Sequence, residues 1–299
     1  MELAVIGRTQ ILHNTIDRLN KKKHSIRTIV TTKAMPEYTS RENDFKALAH
    51  KYKASFFNTK TLNKDRIISS FRGLDLGISV NWTSVIKRRH IDCFKIGILN
   101  AHFGDLPRYR GNATPNWAII NGEKELAASI HLMEPDRLDC GRVIVQKKLA
   151  ITKKTYISDI YAWAQREIPN LFLRAVSLLE KDPHYTLYYA DPDSAESFRC
   201  YPRRPQDSRI DWRDPAEAIH RLIRASSRPL QGAFSFVNRR KITIWKAQLY
   251  SDRERYSALP GQVCKIGRDY FIVITGSGKL KITDWESKEK ITNVRQRLN

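Results

Sequence analysis

Residues 2–33 read ELAVIGRTQILHNTIDRLNKKKHSIRTIVTTK and hold one complete strand–helix–strand pattern. The run at 2–7 is apolar and ends on a glycine, as a buried strand often does before a turn. Apolar residues at helical spacing follow between Ile11 and Leu19, and a β-branched run occupies 26–33. Two strands joined by an amphipathic helix predict a parallel βαβ unit and therefore an α/β fold.

The same alternation continues toward the middle of the chain. Residues 44–53 have the apolar spacing of a second helix, and the short β-rich runs 76–82 and 95–102 are bounded by turn residues. Strands that alternate with helices predict a Rossmann-like, doubly wound parallel sheet. No G-x-G-x-x-G motif follows the first strand, so the pattern gives no support for a dinucleotide cofactor.

Two further apolar runs, 128–133 and 142–151, are predicted as a later pair of strands. A helical segment follows at 159–180, and we expect Pro169 to kink or divide it because proline lacks the N–H that a helix needs. These elements complete a first domain, the catalytic one, which we predict at 1–188.

Residues 189–208 are predicted to form a linker, because this part of the chain is rich in Pro, Asp, Ser and Tyr. Within 209–299, one helical pattern is followed by several short strand-like runs at close spacing. That arrangement predicts a small β-barrel of the OB-like type. The fold class expected is a Rossmann-like α/β domain followed by a C-terminal β-barrel domain.

The chain has 299 residues with 53 Lys and Arg against 31 Asp and Glu, a formal net charge of +22. Residues 200–299 contain 21 of the basic and 10 of the acidic residues, so this third is about twice as charge-dense as the rest. Such a surface attracts anions, among them tRNA, nucleotide diphosphates and polyglutamylated folates. A basic surface without a specific partner gives the same composition, so charge alone selects none of these.

The composition also indicates the cellular compartment of the protein. Four dispersed cysteines without a C-x-x-C pair predict reduced thiols rather than a zinc ribbon or a disulfide framework. The apolar runs are too short to span a bilayer, and the N-terminal stretch has no secretory pattern. We therefore expect a cytoplasmic protein that does not associate with membranes, whose oligomeric state the sequence leaves undetermined.

Side chains suited to chemistry gather in 97–111, GILNAHFGDLPRYRG. Asn100 and His102 stand two residues apart at the end of a predicted strand, so both side chains leave from the same face. A carboxamide beside an imidazole at that place is either a structural pair or a proton-transfer centre. Asp139, 37 residues beyond His102, adds the carboxylate that such a centre uses.

The stretch N-A-H-F-G-D-L-P-R-Y-R-G, followed by Leu138-Asp139-Cys140-Gly141, resembles the family of enzymes that use 10-formyltetrahydrofolate as formyl donor. That family includes methionyl-tRNA formyltransferase, glycinamide ribonucleotide transformylase and the sugar-nucleotide N-formyltransferases. Residues 209–234 are similar to the second domain of the tRNA and sugar enzymes. The resemblance implies 10-formyltetrahydrofolate as co-substrate and no metal. Gly104-Asp105 departs from the family's usual Ser-Leu.

The chemistry of formyl transfer agrees with these residue types. Transfer to an amine passes through a tetrahedral oxyanion, to which the amide of Asn100 can donate a hydrogen bond without carrying a charge. The amine must lose a proton and the departing folate nitrogen must gain one, and an imidazole such as His102 suits that task. Asp139 would orient the imidazole and balance its charge. We therefore predict Asn100, His102 and Asp139 as the catalytic residues, with no covalent intermediate and no need for a Ser or Cys nucleophile.

The resemblance also implies a donor-binding surface. Its predicted members are Ser79, Val80, Asn81, Trp82, Leu106, Pro107, Arg110 and Gly111. For the first four, the alternative is an ordinary buried strand with the tryptophan in the core. For Arg110, the alternative to a folate contact is a clamp on the loop.

Three acidic and histidine side chains could suggest a metal cluster. They are His131, Glu134 and Asp136. Their uneven spacing on a strand that runs into a loop argues against a metal site.

The acceptor amine is predicted from two stretches. Methionyl-tRNA formyltransferases have a basic, glycine-rich insertion after the second strand, whereas 31–53 has no glycine and mixes acids with bases. Residues 115–133 look more like the formyltransferases that act on nucleotide-linked 4-amino sugars. We therefore favour a nucleotide-linked amino sugar and keep charged initiator tRNA as the alternative. A nucleic-acid-binding module without catalysis is a third possibility, which the aromatic content of the C-terminal strands does not specifically support.

Overall fold

The computed structural model describes residues 1–36, 38–254 and 256–299. Along its length the chain divides into two units, each with an apolar core of its own. The first unit comprises Met1–Gly111, Leu126–Leu149 and Tyr161–Cys200. The second comprises Asn112–Glu125, Ala150–Ile160 and Tyr201–Asn299.

The strands and helices have the following bounds. The strands are β1 (Glu2–Gly7), β2 (Ser25–Thr31), β3 (Ser55–Asn58), β4 (Leu76–Val80), β5 (Gly97–His102), β6 (Arg110–Gly111), β7 (Glu125–Leu132), β8 (Gly141–Ala150), β9 (Tyr188–Ala190), β10 (Arg199–Cys200), β11 (Ala233–Val237), β12 (Arg240–Tyr250), β13 (Val263–Ile266), β14 (Phe271–Ile274) and β15 (Lys279–Ser287). The helices are α1 (Gln10–Lys21), α2 (Glu42–Lys51), α3 (Asp65–Phe71), α4 (Arg88–Ile91), α5 (Thr114–Asn121), α6 (Ile157–Lys181) and α7 (Ala216–Ser226), with a 3-10 helix at Pro205–Ser208. Across the described residues, no helix combines the length and the apolar content of a membrane span. The four cysteines are all free.

A sheet with the strand order β3-β2-β1-β4-β5-β7-β8-β9 forms the centre of the first unit. The strands from β3 to β5 in that order run parallel, which confirms the predicted doubly wound parallel sheet. Beyond them, β7 pairs antiparallel with β5, so the whole sheet is mixed. The strand order reverses between β1 and β4, because β2 and β3 lie on one side of this pair and β5 lies on the other. In α/β sheets, such a switch point leaves a crevice at the carboxyl ends of the strands.

Both faces of the sheet are buried. Along β1, Leu3 and Val5 belong to one apolar cluster, which includes residues of α1, α2 and α6. The alternate residues Ala4 and Ile6 belong to a second cluster, which includes residues of α3 and α4. Burial on both faces explains why the strand is an uninterrupted apolar run in the sequence rather than an alternating one.

Helix α6 is continuous with Pro169 in its interior, so of the two outcomes predicted for Pro169, a kink or a division, the division is wrong. Proline at this position removes the hydrogen bond to the carbonyl of Gln165, at a cost of about 3 kcal/mol. Ile168, Leu171 and Phe172 beside it are buried in the core of the first unit. Each such side chain contributes about 1.5–3 kcal/mol on burial, so packing outweighs the lost hydrogen bond.

The second unit contains a five-stranded antiparallel sheet in the order β11-β12-β15-β14-β13. This confirms the predicted C-terminal β domain. The last residues of the chain bond to both edges of the sheet: Asn299 exchanges two backbone hydrogen bonds with Phe236 of β11, and Leu298 donates to Gly261 just before β13. These contacts bridge the two edge strands and close the sheet in the manner expected of a barrel.

Two short segments from the first 160 residues belong to the second unit. One contains α5, where Asn116 donates a 2.7 Å hydrogen bond to the carbonyl oxygen of Ala225 in α7. The other lies before α6, where the guanidinium of Arg224 donates to the carbonyls of Thr152 and Thr155. Because these bonds join residues that are far apart in sequence, local composition could not predict that the two segments belong to the second unit.

Candidate active site

Strand β5 and its neighbours bring the three predicted catalytic side chains to one place. Asn100 lies opposite Ser79 of β4 on one side and opposite His131 of β7 on the other. His102 is the last residue of β5, and Asp139 lies in the loop between β7 and β8. The cluster thus forms at the carboxyl end of a central strand, where α/β sheets place their ligands.

The imidazole of His102 is held between a carboxylate and a backbone carbonyl. Its Nδ1 atom lies 3.5 Å from Oδ2 of Asp139, and both side chains are nearly fully buried. Its Nε2 atom lies 2.6 Å from the carbonyl oxygen of Tyr109. Because a carbonyl oxygen can only accept, Nε2 carries a proton. The same Asp139 oxygen accepts the backbone N–H of Gly111 at 2.9 Å, so the carboxylate is itself held beside the ring.

His131 is a site residue to which the sequence analysis gave no role. Its Nδ1 atom lies 3.1 Å from the carbonyl oxygen of Cys140 and 3.2 Å from that of Leu132, so Nδ1 carries the proton and Nε2 accepts. That Nε2 atom lies 3.2 Å from Nδ2 of Asn100, which therefore donates to it. Burial lowers the pKa of His131 below its ordinary value of 6.5, which favours the neutral ring. The register of β5 with β7 places His131 opposite Asn100. The sequence alone does not determine that register, so it could not reveal the role of His131.

The three side chains considered for a metal site do not form one. Glu134 accepts a hydrogen bond from the hydroxyl of Tyr189, while His131 faces Asn100. In the parts of the chain that the structure describes, no group of three or more His, Cys, Asp or Glu side chains is placed to hold a metal ion.

Gly104 allows the loop after β5 to close over His102. A Cβ atom at position 104 would lie 2.6 Å from Nε2 of His102 and 2.3 Å from the carbonyl oxygen of Tyr109. Both distances are far shorter than a van der Waals contact, so a side chain here would displace the carbonyl from the imidazole. The departure from the family's usual serine is therefore tied to the hydrogen bond between His102 and Tyr109.

The predicted donor-binding residues of β4 fall in two groups. Ser79 and Val80 are buried and paired on the sheet, and the carbonyl of Val80 accepts the backbone N–H of Arg8. Asn81 and Trp82 lie beyond the end of the strand, where Asn81 has a left-handed backbone (φ 53°) and Trp82 donates to Ser84. The backbones of Asn81 and Trp82 therefore lie outside the hydrogen-bond ladder of the sheet, unlike those of Ser79 and Val80. The role of all four residues in donor binding stays a prediction.

The predicted donor-binding residues after β5 lie in the loop that covers His102 and in the short strand β6 that follows it. Leu106 is buried, its peptide bond to Pro107 is cis, and Gly111 donates to Asp139. The guanidinium of Arg110 donates to the carbonyls of Leu138 and Pro192 and to the hydroxyl of Ser197. These contacts favour the clamp over a folate contact for Arg110, because they tie the loop to the segments around residues 138 and 192–197.

A cavity of about 590 Å³ opens at the carboxyl ends of the strands around the switch point. The charged side chains on its described lining are cations: Arg8, Lys33, Arg41 and Lys60. Nε of Arg8, one of these lining residues, is buried without a hydrogen-bond partner among the described residues. Because the charged side chains of its described lining are all cationic, this crevice is suited to an anionic ligand. The residues of this cavity come from the ends of separate strands, so no local sequence pattern predicts it.

Two family models match the sequence. The first, described as "Formyl transferase", matches residues 1–176, and the second, described as "Formyl transferase, C-terminal domain", matches residues 203–299. Together they span both units of the chain.

Solved structures share the fold over most of its length. WlaRD, a sugar 3N-formyl transferase crystallised in the presence of dTDP and 5-N-formyl-THF, is 19% identical with a TM-score of 0.71, and the match covers 97% of this chain and 99% of that one. An N-formyltransferase from Helicobacter canadensis in complex with folinic acid and dTDP-3-aminofucose is 18% identical with a TM-score of 0.70, and the match covers 95% and 99%. A 4-N formyltransferase from Francisella tularensis is 17% identical with a TM-score of 0.59, and the match covers 79% and 92%. At these identities the likeness establishes the fold.

Proposed function

We propose a function from one premise: this chain belongs to the formyl transferase family. The resemblance drawn from the Asn100 and His102 motif is thereby confirmed, and the chain is an enzyme of a family that transfers formyl groups. What we propose beyond this is the donor and the acceptor. The donor is 10-formyltetrahydrofolate, and the acceptor is the amine of a nucleotide-linked amino sugar.

The observation that carries the proposal is the cluster of Asn100, His102 and Asp139 at the carboxyl end of β5. Asn100 uses one of its two amide hydrogens for His131. The second hydrogen remains to donate to the formyl oxygen, on which negative charge develops when the amine adds. A neutral donor fixed in advance stabilises that charge without reorganisation at the moment of reaction.

The proton and bond changes balance without a covalent enzyme intermediate. The amine nitrogen forms a bond to the formyl carbon, the bond between that carbon and the folate nitrogen breaks, and one proton moves from the amine to the folate nitrogen. His102 is the group placed to relay this proton: once Nε2 releases the carbonyl of Tyr109, it gives its proton to the departing folate nitrogen and then takes one from the amine. Asp139 holds the ring and balances its charge while it carries the additional proton.

The solved structures of similar fold support the choice of both substrates. The sugar 3N-formyl transferase was crystallised with dTDP and a formylated folate, and the Helicobacter canadensis enzyme with folinic acid and dTDP-3-aminofucose. The present chain matches both over at least 95% of its length. A formyl-folate donor and a nucleotide-linked amino sugar are therefore the substrates that we assign to it.

The cation-lined cavity at the switch point supports an acceptor with a diphosphate. Arg8, Lys33, Arg41 and Lys60 line a space of about 590 Å³ on the same carboxyl edge of the sheet as Asn100. A diphosphate there would bring its negative charge among these four cations. The sugar amine would then extend along this edge toward the cluster.

The test offers purified protein 10-formyltetrahydrofolate with a panel of dTDP-, UDP- and GDP-linked amino sugars. A separate reaction contains charged initiator tRNA in place of the sugars. We expect formylation of at least one amino sugar and none of the tRNA. Formylation of the tRNA alone would overturn the choice of acceptor, and no turnover with any amine would overturn the proposed reaction.

Active-site variants complete the test. Asn100→Ala and His102→Ala should each lower kcat by roughly two orders of magnitude or more while the melting temperature stays close to that of the unmodified protein. Near-normal turnover of the His102 variant would remove this residue from the mechanism.

A further inference from the structure

Two carbonyl oxygens of the loop that covers His102 are anchored to one side chain through two hydroxyls. The hydroxyl of Ser129 on β7 donates to the carbonyl of Gly104 at 2.8 Å, and the hydroxyl of Tyr188 on β9 donates to the carbonyl of Leu106 at 2.9 Å. The amide nitrogen of Gln146 on β8 lies 3.0 Å from the first hydroxyl and 2.7 Å from the second. We name these three side chains, Ser129, Gln146 and Tyr188, the loop anchor.

The direction of every hydrogen bond in the loop anchor is determined. A carbonyl oxygen only accepts, so each hydroxyl must give its single proton to the loop. Each hydroxyl then has only acceptor capacity left for Gln146, which therefore presents its NH₂ group with two donors. A reversed amide would draw both hydroxyl protons away from the loop carbonyls at once.

The loop anchor acts on the segment that sets the proton on His102. Gly104 and Leu106 lie between β5 and Tyr109, whose carbonyl is 2.6 Å from Nε2 of His102. A Cβ at position 104 would touch both that carbonyl and the imidazole, so the loop has no slack at this point. A shift of the Gly104 or Leu106 carbonyl is therefore passed to the Tyr109 carbonyl and to the imidazole.

We propose that Gln146, together with Ser129 and Tyr188, is a positioning residue for formyl transfer: it fixes the loop 103–109 and through it the tautomer of His102. The inference rests on the proposed function, because His102 is assigned there to proton relay. Gln146 itself touches neither the imidazole nor Asn100 in the bonds that the structure gives it.

The environment of Tyr188 keeps the network in its donating state. Burial raises the pKa of Tyr188 to about 12, so its hydroxyl retains the proton that it gives to Leu106 throughout the physiological range. Ser129 is fully buried, so water does not compete for its hydroxyl.

The test reads the tautomer of His102 directly in the resting protein, by ¹⁵N NMR of the eight histidine side chains. His102→Gln identifies the His102 signals by their loss. Gln146→Glu keeps the side-chain shape but replaces two donors with a carboxylate that only accepts. Tyr188→Phe removes one hydroxyl. Tyr189→Phe is the matched control, since Tyr189 is the next residue on β9 and its hydroxyl bonds to Glu134 rather than to the loop.

We expect the unmodified protein and Tyr189→Phe to show one tautomer, with the proton on Nε2. Gln146→Glu and Tyr188→Phe should show exchange between tautomers. With the substrates of the proposed reaction, Tyr188→Phe should lose about tenfold in kcat and Gln146→Glu about a hundredfold, the range expected when a reacting group is misplaced. The rate of Tyr189→Phe should stay within twofold of the unmodified protein, about the experimental error in a rate comparison of this kind.

Unchanged His102 signals in both variants would overturn the inference, and so would altered signals with unaltered kcat. Failure of the unmodified protein to formylate any amine would sink the proposed function instead. The NMR comparison needs no turnover, so the two failures are distinguishable. Retained cooperative unfolding of Gln146→Glu, followed by circular dichroism, excludes a general loss of structure.

Discussion

Nδ2 of Asn100 lies 3.2 Å from Nε2 of His131, and this contact decides which way the carboxamide faces. The opposite nitrogen of His131 gives its proton to backbone carbonyls, so Nε2 can only accept from Asn100. The NH₂ group of Asn100 is therefore fixed in place, and its second hydrogen is directed away from His131. His131 thus orients the hydrogen-bond donor that the proposed reaction needs, although it does not itself touch the reacting atoms.

Substitution of His131 should impair the reaction through Asn100. In His131→Phe the ring volume is kept but the acceptor is lost, so we expect kcat to fall by roughly tenfold to a hundredfold. His131→Gln offers a carbonyl oxygen as a substitute acceptor and should retain more activity than the phenylalanine variant. Steady-state kinetics with both substrates checks this order. Equal rates for the unmodified and phenylalanine proteins would show that Asn100 needs no orientation by His131.

The charge of Asp139 can be separated from its structural role. Asp139 has a left-handed backbone (φ 47°), a conformation that asparagine tolerates well, and one of its oxygens accepts the Gly111 N–H. Asp139→Asn should therefore fold with an unchanged melting temperature but lose at least about a hundredfold in kcat, because the imidazole loses its counter-charge. Asp139→Ala should lose both activity and stability. Full activity of Asp139→Asn would mean that the hydrogen bond, not the charge, is what the reaction requires.

Restoring the family's usual residue at position 104 should damage this enzyme. In Gly104→Ser the added Cβ would meet His102 and the Tyr109 carbonyl at 2.6 and 2.3 Å, so the loop must move. We expect kcat/KM to fall by about tenfold or more, as for a reacting group displaced by a fraction of an ångström. Ala47→Ser, which adds a hydroxyl at an exposed position of α2, is the control. An active Gly104→Ser variant would show that the contact between Tyr109 and His102 is dispensable.

The parts of this molecule that the sequence predicted are those governed by local periodicity. Apolar spacing in 2–33 is set by burial on strand and helix faces, and the βαβ unit followed from it. Asn100 and His102 share a face because side chains alternate along β5, which again needs no knowledge of other strands.

The parts that could not be predicted depend on strand pairing and on loop closure. His131 acquires its role only through the register of β5 with β7, and Gly104 only through the fold of the loop back onto His102. Arg8 and Lys60 follow strands that are separated by about 50 residues in sequence, and they meet only because β1, β2 and β3 are neighbours. The division of α6 at Pro169 was wrongly predicted for the same reason, since the cost of the proline is offset by tertiary packing that local rules do not contain.

Stability should decline when the pH falls below about 6.5. Burial lowers the pKa of four histidines, which are His24, His90, His131 and His220. For His220, burial and the nearby Arg224 lower the pKa from 6.5 to about 4, so between these values the unfolded chain binds more protons than the folded one. Stability is then lost as the pH falls, by on the order of 3 kcal/mol for this residue.

Melting temperatures between pH 7.5 and pH 4.5 check this dependence. His220→Gln keeps a donor for the Ala247 carbonyl but does not titrate, so its melting temperature should fall less steeply with decreasing pH. His184→Gln, at an exposed position, is the control and should leave the slope unchanged. Identical slopes for the His220 variant and the unmodified protein would contradict the assignment to His220.

Removal of two cations from the switch-point cavity should weaken acceptor binding without changing the chemistry. Lys33 and Lys60 are exposed and line the cavity, whereas Asn100 and Asp139 lie on other elements. In the double variant Lys33→Gln/Lys60→Gln we expect the KM for the nucleotide-linked sugar to rise by about tenfold, since two phosphate contacts on exposed lysines are together worth on the order of 1–2 kcal/mol. kcat and the KM for 10-formyltetrahydrofolate should remain within twofold, and added salt should reduce the difference between the proteins. Lys21→Gln/Lys22→Gln, which removes the same charge at the end of α1, controls for the change in net charge. An equal rise in KM for both double variants would point to general electrostatic attraction and against a phosphate site in this cavity.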